Sequence, residues 1–352
     1  MPSQQRLVLD SIIFGLQRYG GISNYWARLL DFAATSTQLA TSLVLPQHLK
    51  YSDFNPEWVR RMPALRERLP ARFTRYMPSS IPERHATFHT SYYRLPRGRV
   101  SRYVVSAYDF TYERYRDGLA RFVHTTQKLA SLRRADAVLC ISHSTKRDVL
   151  EFCRGIDAAK LHVTHLGVDH DTFFRDVGLD PGEEATVLFV GQRGGYKRFD
   201  LAVDALRQCP RLRLGVVGPP LERTERDMLR ATLGARWQEF GPVNTSKLRR
   251  LYSTAFAFIF PSDYEGFGLP VLEAMACGCP VVAADRSSLP EVGGQAAHYA
   301  KEQRGDDYAV HLNALADTAV YDAAVKAGIA RAHEFPWSAT FDQTLAVYLG
   351  KP

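Results

Sequence analysis

The amino-acid sequence predicts an α/β protein made of two doubly wound parallel-sheet domains, and three observations carry that reading. Runs of strand length that are apolar on both faces, among them Thr186 to Val190 and Phe256 to Phe260, recur along the chain; strands covered on both sides by helices have this composition. Amphipathic helical patterns separate the runs, so strand and helix alternate, the order a parallel sheet requires. The alternation stops once, across the polar segment Gly167 to Glu184, and then starts again. At 352 residues and 45% hydrophobic content the chain is long enough to bury two cores of ordinary size. The division that follows is a first domain over 1–172, a linker over 173–184, a second domain over 185–335 and a closing helical segment over 336–352.

In the first domain, Arg6 to Phe14 reads as the opening strand. The diglycine Gly20-Gly21 follows, then a helix whose apolar positions Ile22, Tyr25, Trp26, Leu29 and Leu30 share one face. Ala40 to Leu45 is a second strand. Prolines at 56, 63, 70, 78 and 82 break the next stretch into short helices and loops. Thr87 to Thr90, Arg102 to Ala107, Ala137 to Ser142 and His162 to Leu166 are further strands, with a helix starting near Ser144. The second domain opens with Thr186 to Val190 and a helix carrying Leu201, Val203, Ala205 and Leu206. Strands at Leu212 to Gly218, Trp237 to Val243, Phe256 to Phe260 and from Pro280 come next, with helices between them. Leu289 to Ala300 supplies a turn, two helices span about 306–333, and Trp337 to Leu349 is a last helix.

Composition excludes several classes. No apolar run approaches the length of a membrane span, and MPSQQRLVLD lacks the charged-then-apolar form of a secretion signal, so a cytoplasmic location is expected. The five cysteines show no zinc spacing and read as reduced packing residues. The formal charge of +8 is uneven: eleven arginines from Arg60 to Arg102 meet only Glu67 and Glu83, with Trp58, Phe73, Tyr76, Met77, Tyr92 and Tyr93 interleaved. Cations mixed with aromatic rings suit an anionic membrane surface, which would place the protein peripherally at the inner membrane face; a solvated basic face is the competing reading. No nucleic-acid-binding motif accompanies the charge, so nucleic acid is not expected as a partner.

The stretch FAFIFPSDYEGFGLPVLEAMACGCPVVAA, Phe256 to Ala284, concentrates the candidate chemistry. Glu265 and Glu273 stand with seven residues between them, around a turn containing Gly266 and Gly268. Pro270 suits a first helical position and Gly278 the residue past the end, so a helix is expected over about 270–277 with Glu273 in its first turn. The glycines allow close backbone approach, and the N–H groups of the helix start form a phosphate seat. Glu273 could hold a vicinal diol such as a ribose, and Glu265 a second polyol; a capping acid and a surface acid are the plainer alternative. Arg193 and Lys197 lie on a glycine-rich loop at the carboxyl end of the Thr186 to Val190 strand, where cations would face a cleft. Gly20-Gly21 before its helix is another candidate anion seat. Tyr108, Asp109, Ser142 and His143 follow strand ends and are cleft candidates. Asp169 and Asp171 have the spacing of a metal–diphosphate site, but they precede a linker, and no metal is expected.

The segments GGISNY, ISHSTKRD, HLGVD, VGQRGGYK, FGPV, PSDYEGFGLPVLEAMACGCPVV, SSLPEVGG and FPWSA, in this order and spacing, resemble a known family, the retaining glycosyltransferases of family 4 (group 1), over nearly the whole chain. The resemblance implies the GT-B fold, two facing Rossmann-like domains with a final helix crossing back to the first. It implies a nucleotide-sugar donor on the second domain, a glycan or lipid-linked acceptor on the first, and no metal or other cofactor. It further implies that Glu273 holds the ribose, that Glu265 holds hydroxyls of the donor sugar, and that backbone N–H groups at Phe267, Gly268 and Leu269 meet the diphosphate. Arg193 and Lys197 would neutralise the departing nucleotide, the Gly241 to Val243 loop would flank the base, and Gly20 and Gly21 would close on the phosphates. Kinship suggests mannose or a related hexose from a GDP-sugar, in polysaccharide or lipopolysaccharide synthesis. Two departures are visible. Tyr108 stands where many members have a histidine against the donor sugar, and Arg193 follows Gln192, one residue later than the commonest form. Nucleotide-sugar epimerases share the fold, and a non-catalytic partner of a membrane assembly is a third reading.

Overall fold

The computed structural model describes residues 4–17, 20–49, 62–83, 85–176, 178 and 185–351. The chain divides into two compact units, Met1–Leu166 with Trp337–Pro352, and Gly167–Pro336. The division at 166 precedes the sequence boundary of 172, because Val168 bridges to Pro336 and its N–H bonds the Phe335 carbonyl at 2.9 Å, which ties Gly167 onward to the second unit.

The first unit holds a seven-stranded sheet of β1 (Gln5–Asp10), β2 (Leu39–Leu45), β3 (Ala64–Arg66), β4 (Thr87–Thr90), β5 (Arg102–Ala107), β6 (Ala137–Cys140) and β7 (Leu161–Val163). The spatial order is β3-β2-β1-β4-β5-β6-β7, and every pair is parallel. The winding reverses between β1 and β4, which opens a crevice at their carboxyl ends. Helices α1 (Gly21–Thr35), α2 (Gly118–Arg134) and α3 (His143–Phe152) belong to this unit. Tyr25, Trp26, Leu29 and Leu30 form the buried stripe of α1, and the Trp26 indole N–H donates to Ser11 Oγ at 3.0 Å. Ser142 caps α3 by accepting the Thr145 N–H at 2.9 Å.

The second unit repeats the plan with β8 (Thr186–Val190), β9 (Arg213–Val217), β10 (Trp237–Gly241), β11 (Ala257–Phe260), β12 (Val281–Ala284) and β13 (Ala297–Ala300). They are ordered β10-β9-β8-β11-β12-β13 and all parallel. Its longer helices are α4 (Phe199–Arg207), α5 (Arg223–Leu233), α6 (Thr245–Thr254), α7 (Leu269–Ala276), α8 (Gly305–Ala314) and α9 (Thr318–His333). Leu201, Val203, Ala205 and Leu206 of α4 enter one cluster with Val187, Phe189, Leu214 and Ile259 of the sheet. The closing helix α10 (Trp337–Tyr348) packs in the first unit: Phe341 stacks on Phe32 at 5.2 Å and Trp337 on Tyr25 at 6.2 Å. Tyr348 Oη also meets His89 Nδ1, and burial pushes the His89 imidazole down to about 3, so it is neutral.

Four features differ from the sequence expectations. β1 stops at Asp10, and the apolar run that reads as its continuation turns into the short helix Ile13–Leu16; Ile12, Ile13 and Phe14 are buried in either geometry. β3 is an exposed edge strand inside the stretch expected to be helices and loops, and β13 replaces an expected turn; neither has an apolar run. Two arginines counted on the basic face are turned inward. Arg94 is buried, donating to Asp10 Oδ1 at 3.0 Å and pairing with Glu67, and Arg102 bonds the Val347 carbonyl at 3.2 Å. Asp169 accepts the Asp171 N–H and the Thr172 hydroxyl, which is turn chemistry. Trp58, Arg60, Arg61 and Arg84 lie outside the described residues. The five cysteines are free and buried.

Candidate active site

In the second unit the sheet reverses between β8 and β11, so the loops leaving their carboxyl ends are neighbours. The β8 loop carries Arg193 and Lys197; the β11 loop carries Glu265. Lys197 Nζ donates to Glu265 Oε1 at 2.6 Å, with the side chains 19% and 14% exposed. The Asp263 N–H donates to the Tyr196 carbonyl at 2.8 Å, so backbone as well as side chains joins the loops. The ammonium also lies 5.7 Å from the Phe260 ring centroid, where a partly desolvated cation is attracted to the ring face.

The Glu265 loop is held from below by two serines. Ser287 Oγ accepts the Glu265 N–H at 2.9 Å, while the buried Ser288 hydroxyl reaches the carbonyls of Glu265 at 2.9 Å and Phe267 at 2.7 Å. Gly268 has φ +103°, and a Cβ there would lie 2.8 Å from Leu289 Cδ2, so only glycine fits. α7 begins at Leu269, one residue earlier than expected, with Gly268 as its cap. Among the described residues, the Gly268 and Leu269 N–H groups have no protein acceptor. Phe267 is buried, its ring 6.1 Å from that of Phe335.

Glu273 is the fifth residue of α7, one position further along than expected, which takes it out of the first turn. Its half-buried carboxyl makes no hydrogen bond or ion pair among the described residues. Burial pushes its pKa up to about 7. Its charge in turn helps raise the pKa of the buried Tyr252 phenol and of Cys277, in both cases after burial itself.

Arg193 is committed elsewhere. Nε donates to Glu225 Oε1 at 2.9 Å, and the two terminal nitrogens donate to the carbonyls of Pro219 and Pro220, each at 2.8 Å; the side chain is 6% exposed. Glu225 is the third helical residue of α5, in a capping box with Glu222. The guanidinium thus braces the loop after β9 against the start of α5. Beside it, Gly191 and Gly218 follow the last residues of β8 and β9, and Gly241 is the last of β10, with φ of +122°, +144° and +67°. The Gly218 N–H bonds the Gly241 carbonyl at 3.1 Å, which sets the loop bearing the half-buried Val243.

Gly20, Gly21 and Tyr108 belong to the first unit. Gly20 caps α1 and has extended backbone, and Gly21 has open space where a side chain would be. Tyr108 is buried, with its ring edge-on to Tyr25 at 6.1 Å. Ser142 is buried as a helix cap. Sequence reasoning missed the supporting roles of Ser287, Ser288 and Glu225. The serines sit in the segment SSLPEVGG and Glu225 in the spacing Glu222-x-x-Glu225, and both were visible signals.

The family description "Glycosyl transferases group 1" matches residues 171–316, and "Glycosyltransferase Family 4" matches residues 32–172. The O-antigen chain mannosyltransferase B of Escherichia coli is 43% identical over 109 residues, 31% of this chain and 29% of that protein. An alpha-maltose-1-phosphate synthase of Mycobacterium tuberculosis is 30% identical over 257 residues, 64% of this chain and 66% of that protein. The chain thus spans from under a third to just under two thirds of these relatives' length. Sucrose-phosphate synthase from Thermosynechococcus elongatus superposes with TM-score 0.74 at 20% identity, over 99% of both chains. Anabaena HepE in complex with UDP and glucose superposes with TM-score 0.71 at 16% identity, over 99% of this chain and 100% of that one. At such identities the two structures speak for the fold, two domains of the same parallel-sheet design.

Proposed function

Because the chain belongs to the family 4 glycosyltransferases, with the GT-B fold, we propose that it transfers a sugar from a nucleotide-sugar donor to a hydroxyl of a glycan or lipid-linked acceptor, with retention at the anomeric carbon and without a metal. The observation that supports this reading most directly is the Lys197–Glu265 pair at 2.6 Å. It sets a cation and a hydroxyl-binding carboxylate side by side at the sheet reversal, next to the unfilled N–H groups of Gly268 and Leu269. In the reaction the acceptor oxygen bonds to the anomeric carbon as the bond from that carbon to the donor phosphate breaks. The departing phosphate oxygen takes the acceptor proton, so no side chain need act as base. Lys197 and the start of α7 would stabilise the diphosphate charge that develops. Glu265 would hold donor-sugar hydroxyls and Glu273 the ribose. Arg193, held by Glu225 and two carbonyls, would serve chiefly by fixing the loop over which the nucleotide lies, with Val243 beside the base. The kinship with an O-antigen mannosyltransferase favours a GDP-mannose-type donor, and UDP in HepE makes UDP-sugars the second set to try.

The test is transfer from a panel of nucleotide sugars by wild type, Lys197→Ala and Glu265→Ala. Each substitution should lower turnover about 10²-fold or more, and excess chelator should leave the wild-type rate unchanged. Near-normal transfer by either variant would remove that residue from the reaction. Epimerised donor formed without any acceptor would replace the transferase reading with an epimerase.

A further inference from the structure

The crevice at the sheet reversal of the first unit holds a cavity of about 280 Å³, with Tyr108 and Asp109 among its lining residues. It lies where the loops leaving β1, β4 and β5 meet α2, the place at which open parallel sheets bind ligands. One wall is aromatic: Tyr92 and Tyr112 line it, with Tyr112 stacked on His124 at 4.2 Å between centroids. Flat rings with polar tips suit a pyranose, which has an apolar C–H face and a hydroxyl rim.

The polar groups in the cavity are incompletely satisfied. The Arg75 guanidinium lies 4.7 Å over the Tyr92 ring and donates one terminal N–H to Tyr92 Oη at 2.8 Å. Its buried Nε has no acceptor, and among the described residues no carboxylate pairs with it. The Gln17 amide nitrogen, also buried, has no acceptor among the described residues. Asp109 uses one oxygen to accept the Thr111 N–H at 2.9 Å, and its other oxygen accepts nothing from the described residues. Lys128 is different: it donates to Glu113 Oε2 and to the Asp109 carbonyl, both at 2.8 Å, so its charge is already compensated. An uncompensated guanidinium edge, a spare amide donor and a spare carboxylate oxygen along an aromatic wall match a sugar that carries a negative group.

We propose that this cavity is the acceptor subsite and that it takes a hexose bearing a phosphate or diphosphate. The ring lies against Tyr92 and Tyr112, the phosphate meets Arg75 and Gln17, and Asp109 accepts from a sugar hydroxyl. This rests on the transfer reaction above and names the class of its acceptor. Calorimetric titration of the purified protein with mannose 1-phosphate and with methyl mannoside tests it. The phosphorylated sugar should bind at least tenfold more tightly. Arg75→Gln should abolish that preference, Arg75→Lys should restore part of it, and Tyr112→Ala should weaken both sugars alike. UDP and GDP binding should stay within twofold of wild type in every variant, which also certifies folding. Equal affinity for the two sugars, or a preference that survives Arg75→Gln, would overturn the proposal, as would a loss of nucleotide binding in place of sugar-phosphate binding. Arg75-dependent binding without any transfer would keep the subsite and sink the transferase reading. A short-chain prenyl diphosphate-linked mannose as a third ligand separates the sources: tighter binding than mannose 1-phosphate assigns the phosphate to a lipid carrier, weaker binding to a soluble sugar phosphate.

Discussion

Glu273 shows what burial does to one carboxyl. Its pKa moves from the ordinary 4.5 up to about 7 because burial disfavours the charged form and no hydrogen bond among the described residues offsets it. The folded protein therefore holds this proton more tightly than the unfolded chain does. The stability it contributes is complete below about pH 4.5 and is lost as pH rises through about 7. The melting temperature of Glu273→Gln relative to wild type should rise between pH 5 and pH 8, read from parallel thermal melts. Under the proposed ribose role the carboxylate is the binding form, so nucleotide affinity of wild type should improve over the same interval while that of Glu273→Gln stays flat. A flat wild-type profile would contradict the role. The glutamate and its helix were legible from Pro270, Gly278 and the apolar runs. Its place in the second turn was not, because α7 starts at Leu269, capped by Gly268 in a conformation that only the fold reveals.

Among the elements, the strand ends were easier to read than the partners of the loops that follow them. Arg102–Ala107 and Thr186–Val190 fall where their apolar runs place them, since a strand buried on both faces declares itself by composition. β3 and β13 stayed hidden because edge strands lack that pressure. The glycine-rich loop after β8 was visible, but the contact that fixes it is not local. A Cβ on Gly218 would stand 2.4 Å from the Gly191 carbonyl oxygen, at φ +144°. Gly218→Ala should thus cost about 2 kcal/mol or more in urea unfolding and loosen the Arg193 brace, whereas Gly21→Ala, with nothing within 4 Å, should change stability by under about 1 kcal/mol. The partners of Arg193 were hidden for the same reason. A cation on a loop looks alike in sequence whether it faces a ligand or, as here, Glu225 and two carbonyls.

For the whole molecule, surface composition is strongly lopsided. Of the twelve large hydrophobic side chains that are exposed among the described residues, nine lie between Leu65 and Val123, in the region that also carries Arg68, Arg72, Arg97 and Arg99. No helix among the described residues is long and apolar enough to cross a membrane; the contact expected of this basic, aromatic face is seating on an anionic surface. Vesicles with a third anionic lipid should sediment the protein, neutral vesicles should not, and the double variant Arg68→Ser, Arg72→Ser should weaken binding about tenfold or more, near 1 kcal/mol per charge. Equal behaviour on both vesicles would return these arginines to the solvated face. The pairing of Val168 with Pro336 bears on synthesis. It brings the two ends of the second unit together, so that unit is a continuous insert whose folding can finish once Pro336 has emerged from the ribosome. The first unit begins earlier but must wait for Trp337–Pro352, leaving Tyr25 and His89 without their closing partners. The first-made unit is therefore the one closed by the last-made segment.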